Sequence, residues 1–463
     1  MAKGAEPEPK PTRRRSAARR PTAWKVASPL VGDPRKDDKP VYLVDGARTP
    51  FLRARGKPGP FTPVDLAVQC GRPLLERLPI ARDAFDQVIL GCVNVIADEM
   101  NPARVAALRL GMGEAMRAFT VQINCGSGMQ SIDTGFRLIE GGKADLILAG
   151  GAEALSYAPL VLSNRTAGWF GRFATAKSAW ERASAIGAFR PDMAKPVIGL
   201  ERGLTDPITD LNMGRTAEII GHAFGITREQ ADGYAIESHK RLARAQKDGH
   251  LAGEVIASVA RDGTLYDYDD GVRPDSSMEK LAKLKPAFEK PHGRVTPGNS
   301  SQITDGASWV VLASEEAVKK HKLEPIARIV DSEWAALDPS VMGLGPTLCC
   351  TALANRRGLT RDDIDLWELN EAFAAQVLAC LAAWEDEEYC REILGLNEPF
   401  GAVDRDRLNV DGGAISLGHP VGSSGNRIVL HLANAMRRLG LKRGMATECI
   451  GGGQGGAMLL EVV

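Results

Sequence analysis

The sequence predicts an α/β protein with a largely parallel sheet, built from two similar halves and interrupted by a long insertion. Three observations carry this reading. From residue 41 onward, short apolar runs of strand type alternate with stretches of helical periodicity. The order of those runs recurs after about residue 326, as expected of an internal duplication whose halves pack face to face. Between about Leu155 and Pro291 the alternation stops.

Val41-Tyr42-Leu43-Val44 is apolar and β-branched enough for a buried strand. A helix is predicted over Pro63–Leu78, a strand over Phe85–Gly91 and a second helix over Pro102–Leu110. Then comes VQINCGSGMQSIDTGFRLIEGGKADLILAGGAE (121–153), a short strand, a cysteine, a glycine-rich bend, a helix and another strand. Met129, Ile132, Phe136 and Ile139 recur at helical spacing, which makes that helix amphipathic.

The insertion carries Trp169, Phe170, Phe173, Trp180 and Phe189, many basic residues, and a long helical stretch around Arg228–Gly249. Loops this long are usually lids or binding loops, although its aromatic residues suit a private core. The polar stretch Thr296–Asp305 leads into a returning strand, Gly306–Ala313. The second half then runs through a strand at Ile326–Val330, a helix opened by Gly343-Leu344-Gly345-Pro346, a strand at Ile364–Leu369 and a helix after Asn370. A helix from Gly422 to Leu439 and strands at Met445–Cys449 and Ala457–Val462 complete it. Asp86 and Asp365 precede corresponding strands in the two halves.

A chain of 463 residues with 44% hydrophobic content supports two or three domains and a large core. Its 58 basic and 58 acidic residues cancel, so no global field draws it to nucleic acid or a membrane surface. Cys70, Cys92, Cys125, Cys349, Cys350, Cys380, Cys390 and Cys449 form no C-x-x-C pair and no metal-ligand spacing. That favours free thiols in a reducing compartment over a disulfide framework, a thiol-redox centre or a structural metal. No apolar run approaches the roughly 20 residues that span a bilayer. Residues 1–38 read as a disordered basic tail, with eight Lys or Arg against two Glu in the first 25. Glu6 and Glu8, with Pro7, Pro9 and Pro11, interrupt the amphipathic helix of a transit peptide. The location expected is cytoplasmic, with mitochondrial import left open by the Arg and Ser content. Basic residues 13–20 lack the aromatic platform of an RNA-binding segment and read as a solvated tail.

Four places suggest chemistry. Cys125 lies at or just before a helix N-terminus, where unpaired N–H groups favour an anion and a thiol loses its proton more easily. Gly126 and Gly128 allow close backbone approach and keep the sulfur uncovered; a buried core cysteine is the alternative. Asn370, between a buried strand and an apolar helix, is either a helix cap or a site residue. His419, in Gly418-His419-Pro420, has its backbone fixed by proline and room made by glycine. Cys449 ends a strand and is followed by five glycines in seven residues, either an oxyanion-binding nest or a tight turn.

Together these segments resemble the thiolases, acyl-CoA C-acyltransferases. The resemblance runs over residues 40 to 463 through VDGARTPF (44–51), NCGSGMQS (124–131), LILAGGAE (146–153), MGRTAE (213–218), GNSSQITDGA (298–307), LNEAFAAQ (369–376), NVDGGAISLGHPVGSSGNRI (409–428) and CIGGGQGGAM (449–458). It implies a duplicated thiolase fold of five αβαβα layers with an inserted, mainly helical loop domain. The domains expected are 39–154 with 293–320, the insertion 155–292 on the CoA and acyl-chain side, and 321–463.

By the family pattern Cys125 is the nucleophile, His419 its base, and Cys449 the second acid/base. One oxyanion hole uses His419 and a water held by Asn370, and the other uses the N–H groups of Cys125 and Gly451. Ser301 contacts CoA. No bound cofactor is implied, since coenzyme A and acetyl-CoA are substrates. A homodimer or homotetramer is implied, and the trifunctional branch adds a hydratase/dehydrogenase subunit. The long insertion is similar to that β-oxidation branch, whereas Asn370 is similar to the biosynthetic acetoacetyl-CoA branch. A decarboxylating ketosynthase has histidine where this chain has Cys449. An idle lipid-binding relative would lack Cys125, His419 or Cys449, and all three are present.

Overall fold

The structure, a computed structural model, describes residues 39–463. The basic tail lies outside the described residues. Nine strands form the main path of one sheet: β1 (Val41–Arg48), β2 (Gln87–Gly91), β3 (Arg117–Val121), β4 (Leu146–Ala154), β5 (Thr304–Ser314), β6 (Ala327–Ala336), β7 (Leu366–Leu369), β8 (Arg443–Ile450) and β9 (Gln454–Val462). Their order is β7-β8-β9-β6-β1-β5-β4-β2-β3.

The expectation of a largely parallel sheet is corrected. Among the described residues only β2–β3, β2–β4 and β7–β8 pair as parallel strands, while β1, β5, β6 and β9 pair antiparallel with their neighbours. Each half closes with a strand that returns beside the half's first strand. β1 and β6 then pair with each other through Val41–Leu43 and Ala327–Ile329, so the halves also join edge to edge.

The duplication is visible in the topology. The order β2-β4-β5-β1 in the first half matches β7-β8-β9-β6 in the second. Asp86 and Asp365 make the same bonds: Asp86 accepts from Asp145 N (2.7 Å) and Leu146 N (3.0 Å), and Asp365 from Lys442 N (3.1 Å) and Arg443 N (2.9 Å). The counterpart of β3 in the second half is reduced to a single bridge between Trp367 and Leu408.

Alternating side chains make three cores from the two half-sheets. Val88, Leu90, Leu146 and Leu148 face outward under α1 (Pro63–Glu76) and α2 (Pro102–Arg109). Ile89, Ile147, Leu366 and Ala446 face inward. There they meet Met129, Ile132, Phe136 and Ile139 of α3 (Ser127–Glu140) and Ile428, Leu432 and Met436 of the helix Val421–Leu439. Trp367, Met445 and Leu459 face outward again, under the helices Gly345–Arg356 and Ala374–Glu385. Sheet faces and helices therefore stack in five layers. In the insertion, Trp169 packs with Phe170, Phe173 and Phe189 as a small cluster of its own, and Trp180 is 82% exposed. The helices α4 (Met213–Ala223) and α5 (Arg228–Asp248) follow; with them, the three later helices become α6 (Gly345–Arg356), α7 (Ala374–Glu385) and α8 (Val421–Leu439).

Candidate active site

The two central helices, α3 and α8, bring their N-terminal ends to one place. A Cβ on Gly128 would lie 2.7 Å from the backbone nitrogen of Asn426, so glycine is what lets these helices touch backbone to backbone. Cys125 sits just ahead of α3. Asn124 before it is left-handed (φ 46°), and Gly126 N donates to Ile123 O (3.0 Å), which wraps the loop around the cysteine.

The Cys125 side chain is half-buried and lines a cavity together with Gly451, whose backbone N–H favours the thiolate. Cys449 is buried two residues before Gly451, and charge on Cys125 adds to the burial that disfavours its thiolate. The expectation that the helix end eases proton loss is corrected for this resting site. Burial, joined by the carboxyl groups of Glu448 and Glu153, pushes the Cys125 thiol up to about 12, against the Gly451 N–H. Withdrawal from water outweighs the helix terminus here, so the thiol requires a base at hand.

His419 lies between Gly418 and Pro420, the N-cap of α8. Gly418 has φ 110°, and a Cβ there would meet Thr304 at 2.2 Å, so no other residue fits. The His419 N–H donates to Gln302 O (3.0 Å). Its ring is buried, with Nδ1 2.6 Å from Ser424 Oγ, and Ser424 Oγ donates to Pro420 O (3.2 Å). A hydroxyl that donates to Pro420 O accepts from Nδ1–H, and the Asn370 amide Nδ2 at 3.4 Å from Nε2 fits the same assignment, the neutral tautomer with a lone pair on Nε2. Burial lowers His419 to about 4, and the Arg427 charge adds to this, so the ring is a neutral base at pH 7.

Asn370 is not a helix cap. Phe373 occupies the N-cap of α7, and no side chain caps that end. Asn370 is buried at the end of β7, its N–H donating to Thr447 O (2.9 Å), and its Nδ2 lies 3.4 Å from His419 Nε2. Its Oδ1 has no partner among the described residues. Two residues on, Ala372 packs with Met342 and Cys449, flanked by Met213 and Phe373. Burial, then Cys125, Cys380 and Glu448, holds the Cys449 thiol well above the usual thiol range. Ser301 donates its N–H to Ala372 O (3.0 Å), and Phe288 meets Phe373 edge-on at 6.3 Å.

The structure thus joins Cys125 to Gly451 and Cys449, joins His419 to Asn370, and links the two groups through the short segment from Asn370 to Ala372, which also bears Ser301. A cavity of about 610 Å³ opens on Cys125, Gly451 and Met213 and extends along Leu155, Pro159 and Leu200, a size and apolar character suited to an acyl group. A neutral base, two protonated thiols and N–H groups at a reacting sulfur suit acyl transfer.

Sequence reasoning missed three residues. Ser424 stands four residues after Pro420 in the first turn of α8, a spacing that permits the back-bond to Pro420 O and could have flagged it. Asn124 and Glu153 gave no such signal. Asn124 bonds Gly451 O, 327 positions away, and Glu153 accepts from Val93 N (3.1 Å), Asn94 N (2.9 Å) and Gly422 N (3.0 Å), tying the cavity wall to the start of α8.

Residues 41–316 match the family model described as thiolase, N-terminal domain, and residues 323–462 match thiolase, C-terminal domain. The β-ketoadipyl-CoA thiolase of Pseudomonas aeruginosa is 39% identical over 428 residues, covering 91% of this chain and 99% of that one. The mitochondrial trifunctional enzyme subunit beta of Bos taurus is 36% identical over 422 residues, covering 91% and 88%. The human mitochondrial 3-ketoacyl-CoA thiolase in complex with CoA superposes with a TM-score of 0.79 at 34% identity, covering 94% of this chain and 99% of that one.

Proposed function

The chain belongs to the thiolase family of acyl-CoA C-acyltransferases, and we propose that it cleaves 3-ketoacyl-CoA reversibly through an acyl group on Cys125, in fatty-acid β-oxidation. The observation that carries this is the cavity of about 610 Å³ that Cys125 and Gly451 line together, Gly451 standing two residues after the buried second thiol, Cys449. His419 Nε2 takes the Cys125 proton, and the thiolate adds to the keto carbon. The bond to the α-carbon breaks, and Cys449 protonates that carbon, releasing acetyl-CoA. The thiol proton of incoming CoA restores Cys449, the CoA sulfur takes the acyl group, and His419 returns its proton to Cys125.

The tautomer reconciles two roles of His419. Before attack Nε2 accepts; once protonated it donates to an oxyanion, beside a water held by Asn370 Oδ1. The N–H groups of Cys125 and Gly451 serve the other oxyanion, on the acyl carbon. Ser301 borders the CoA side, next to Ala372. The human relative binds CoA, which supports coenzyme A as the substrate here.

The cavity exceeds what an acetyl group needs and favours longer acyl chains. Asn370 favours a second reading, a biosynthetic acetoacetyl-CoA thiolase. The bovine relative is one subunit of a trifunctional enzyme, which supports a hydratase/dehydrogenase partner, and a homodimer or homotetramer is the assembly we propose. Among the described residues no helix is long and apolar enough to cross a membrane. Thiolysis measured across 3-ketoacyl-CoA chain lengths tests the reading, with Cys125→Ala as control. Full turnover by that variant would end the assignment, and a preference confined to acetoacetyl-CoA would favour the second reading.

A further inference from the structure

Asn124 is unusual in two independent ways. It holds a left-handed backbone (φ 46°) directly before the nucleophile, in a conformation that L-residues other than Asn and Asp seldom adopt. Its side chain also crosses from one half of the molecule to the other, Nδ2 donating to Gly451 O at 2.8 Å. Strain of this kind persists only where the surroundings enforce it.

The residue it grips has little else to hold it. Gly451 opens a turn of three glycines, and Gly452 and Gly453 have φ of 91° and 81°. The far end of the turn is fixed by Leu337 N donating to Gly453 O (2.8 Å). At the near end, a Cβ on Gly451 would meet only Met213 Sδ (3.3 Å) and Asn124 Nδ2 (3.8 Å). The Asn124 amide is therefore the polar side chain that holds this glycine, which lines the same cavity as Cys125.

We propose that Asn124 is a positioning residue for acyl transfer: its amide clamps Gly451 across the two halves and holds the Gly451 N–H where the oxyanion on the acyl carbon forms. This rests on the thiolase reading of the site. The left-handed backbone aims the amide at the turn, and an apolar residue would supply neither the conformation nor the donor.

Three variants test it. Asn124→Gly keeps the left-handed backbone and removes the amide. Asn124→Ala removes the amide and adds strain. Asn124→Asp keeps the shape and turns an acceptor toward the Gly451 carbonyl. Covalent acetylation of the wild-type protein by acetyl-CoA, followed by mass spectrometry, is measured first. Then kcat, KM and Tm are compared. All three variants are expected to lose about 10²-fold in kcat, the typical loss of one oxyanion donor, with KM for CoA within about twofold of wild type. Asn124→Gly should melt higher than Asn124→Ala while being equally slow, a split that a purely structural role would not produce. Wild-type kcat in Asn124→Gly, or losses that follow Tm across the three, would overturn the clamp while leaving the thiolase reading intact. A wild-type protein that is not acetylated at Cys125 would overturn both.

Discussion

His419 Nδ1 and Ser424 Oγ lie 2.6 Å apart, and the same hydroxyl donates to Pro420 O at 3.2 Å. On the proposed reaction, the pair sets which ring nitrogen takes the Cys125 proton. In Ser424→Ala the ring loses that constraint and samples the wrong tautomer. We expect kcat to fall about 10–10²-fold, part of what a general base typically contributes, with Tm little changed. Ser424→Thr retains the hydroxyl and should recover most of the rate. Equal rates for Ser424→Ala and wild type would show that the tautomer is set elsewhere.

His419 is held at about 4, first by burial and then by Arg427. Its ring signals should titrate near that value by NMR rather than at the ordinary 6.5. The sign for stability follows from the depressed value. Between pH 6.5 and about 4 the unfolded chain binds a proton that the folded chain refuses, so this group destabilises the fold as pH falls through that window. A midpoint near 6.5 would mean that the ring is solvated and the closed geometry wrong.

The duplication was legible because Asp86 and Asp365 mark corresponding strand starts, and both make the same pair of backbone bonds. The antiparallel closing strands were not, since apolar runs such as 306–313 show no direction. Asn370 kept two readings in the sequence because the helix starts only after Phe373, and His419, which its amide meets, is 49 positions away. The Cys125 environment was misjudged for a similar reason. A helix end is a local feature, but Glu448, Glu153 and the depth of burial come from distant segments.

His431 illustrates what sequence context hides. It lies in the middle of α8 and its ring is buried, with Nδ1 2.9 Å from Glu254 and Nε2 3.3 Å from Asp411. Glu254 also accepts from Arg48 at 2.7 Å, so the insertion, the first strand and the last long helix meet at one ionic cluster. Burial opposes the charge on His431, but Glu254 and Asp411 raise it to about 10, while His431 and Arg48 lower Glu254 to about 2 against burial. The His431 contribution is complete below pH 6.5 and is lost as pH rises through about 10. The Glu254 contribution is complete above pH 4.5 and is lost as pH falls through about 2. His431→Gln should cost about 3–5 kcal/mol at pH 7, as expected when a buried pair loses one member, and the deficit should shrink above pH 10. A deficit independent of pH would show that packing rather than charge holds this cluster.

Gly128 and Gly168 make a matched pair of substitutions to alanine. At Gly128 the new methyl group would lie 2.7 Å from Asn426 N and 3.1 Å from Gly422 O, both rigid backbone of α8. Separating α3 from α8 moves Cys125 away from His419, so Gly128→Ala should lower Tm and abolish most activity, with a cost of at least about 1–3 kcal/mol. At Gly168, inside the helix Asn164–Thr175, nothing lies within 4 Å of the new methyl group. That variant should gain about 0.5–1 kcal/mol from helix propensity and keep full activity. Denaturant melts with parallel thiolysis assays would separate the two cases.

Leu200 tests where the acyl chain runs. It is half-buried on the short helix Gly199–Gly203 and lines the cavity with Leu155 and Pro159. An acetoacetyl group bound at Cys125 ends close to the sulfur, whereas a longer chain must extend along this wall. Leu200→Trp adds volume on the wall without touching the residues that move protons. We expect kcat/KM for 3-ketodecanoyl-CoA to fall about tenfold or more, equivalent to excluding one or two methylenes from an apolar pocket. Acetoacetyl-CoA should change by less than about twofold, because its acyl group needs none of this volume. A uniform loss on both substrates would place Leu200 beside the part they share, the CoA moiety, and the chain would then have to leave the site by another path.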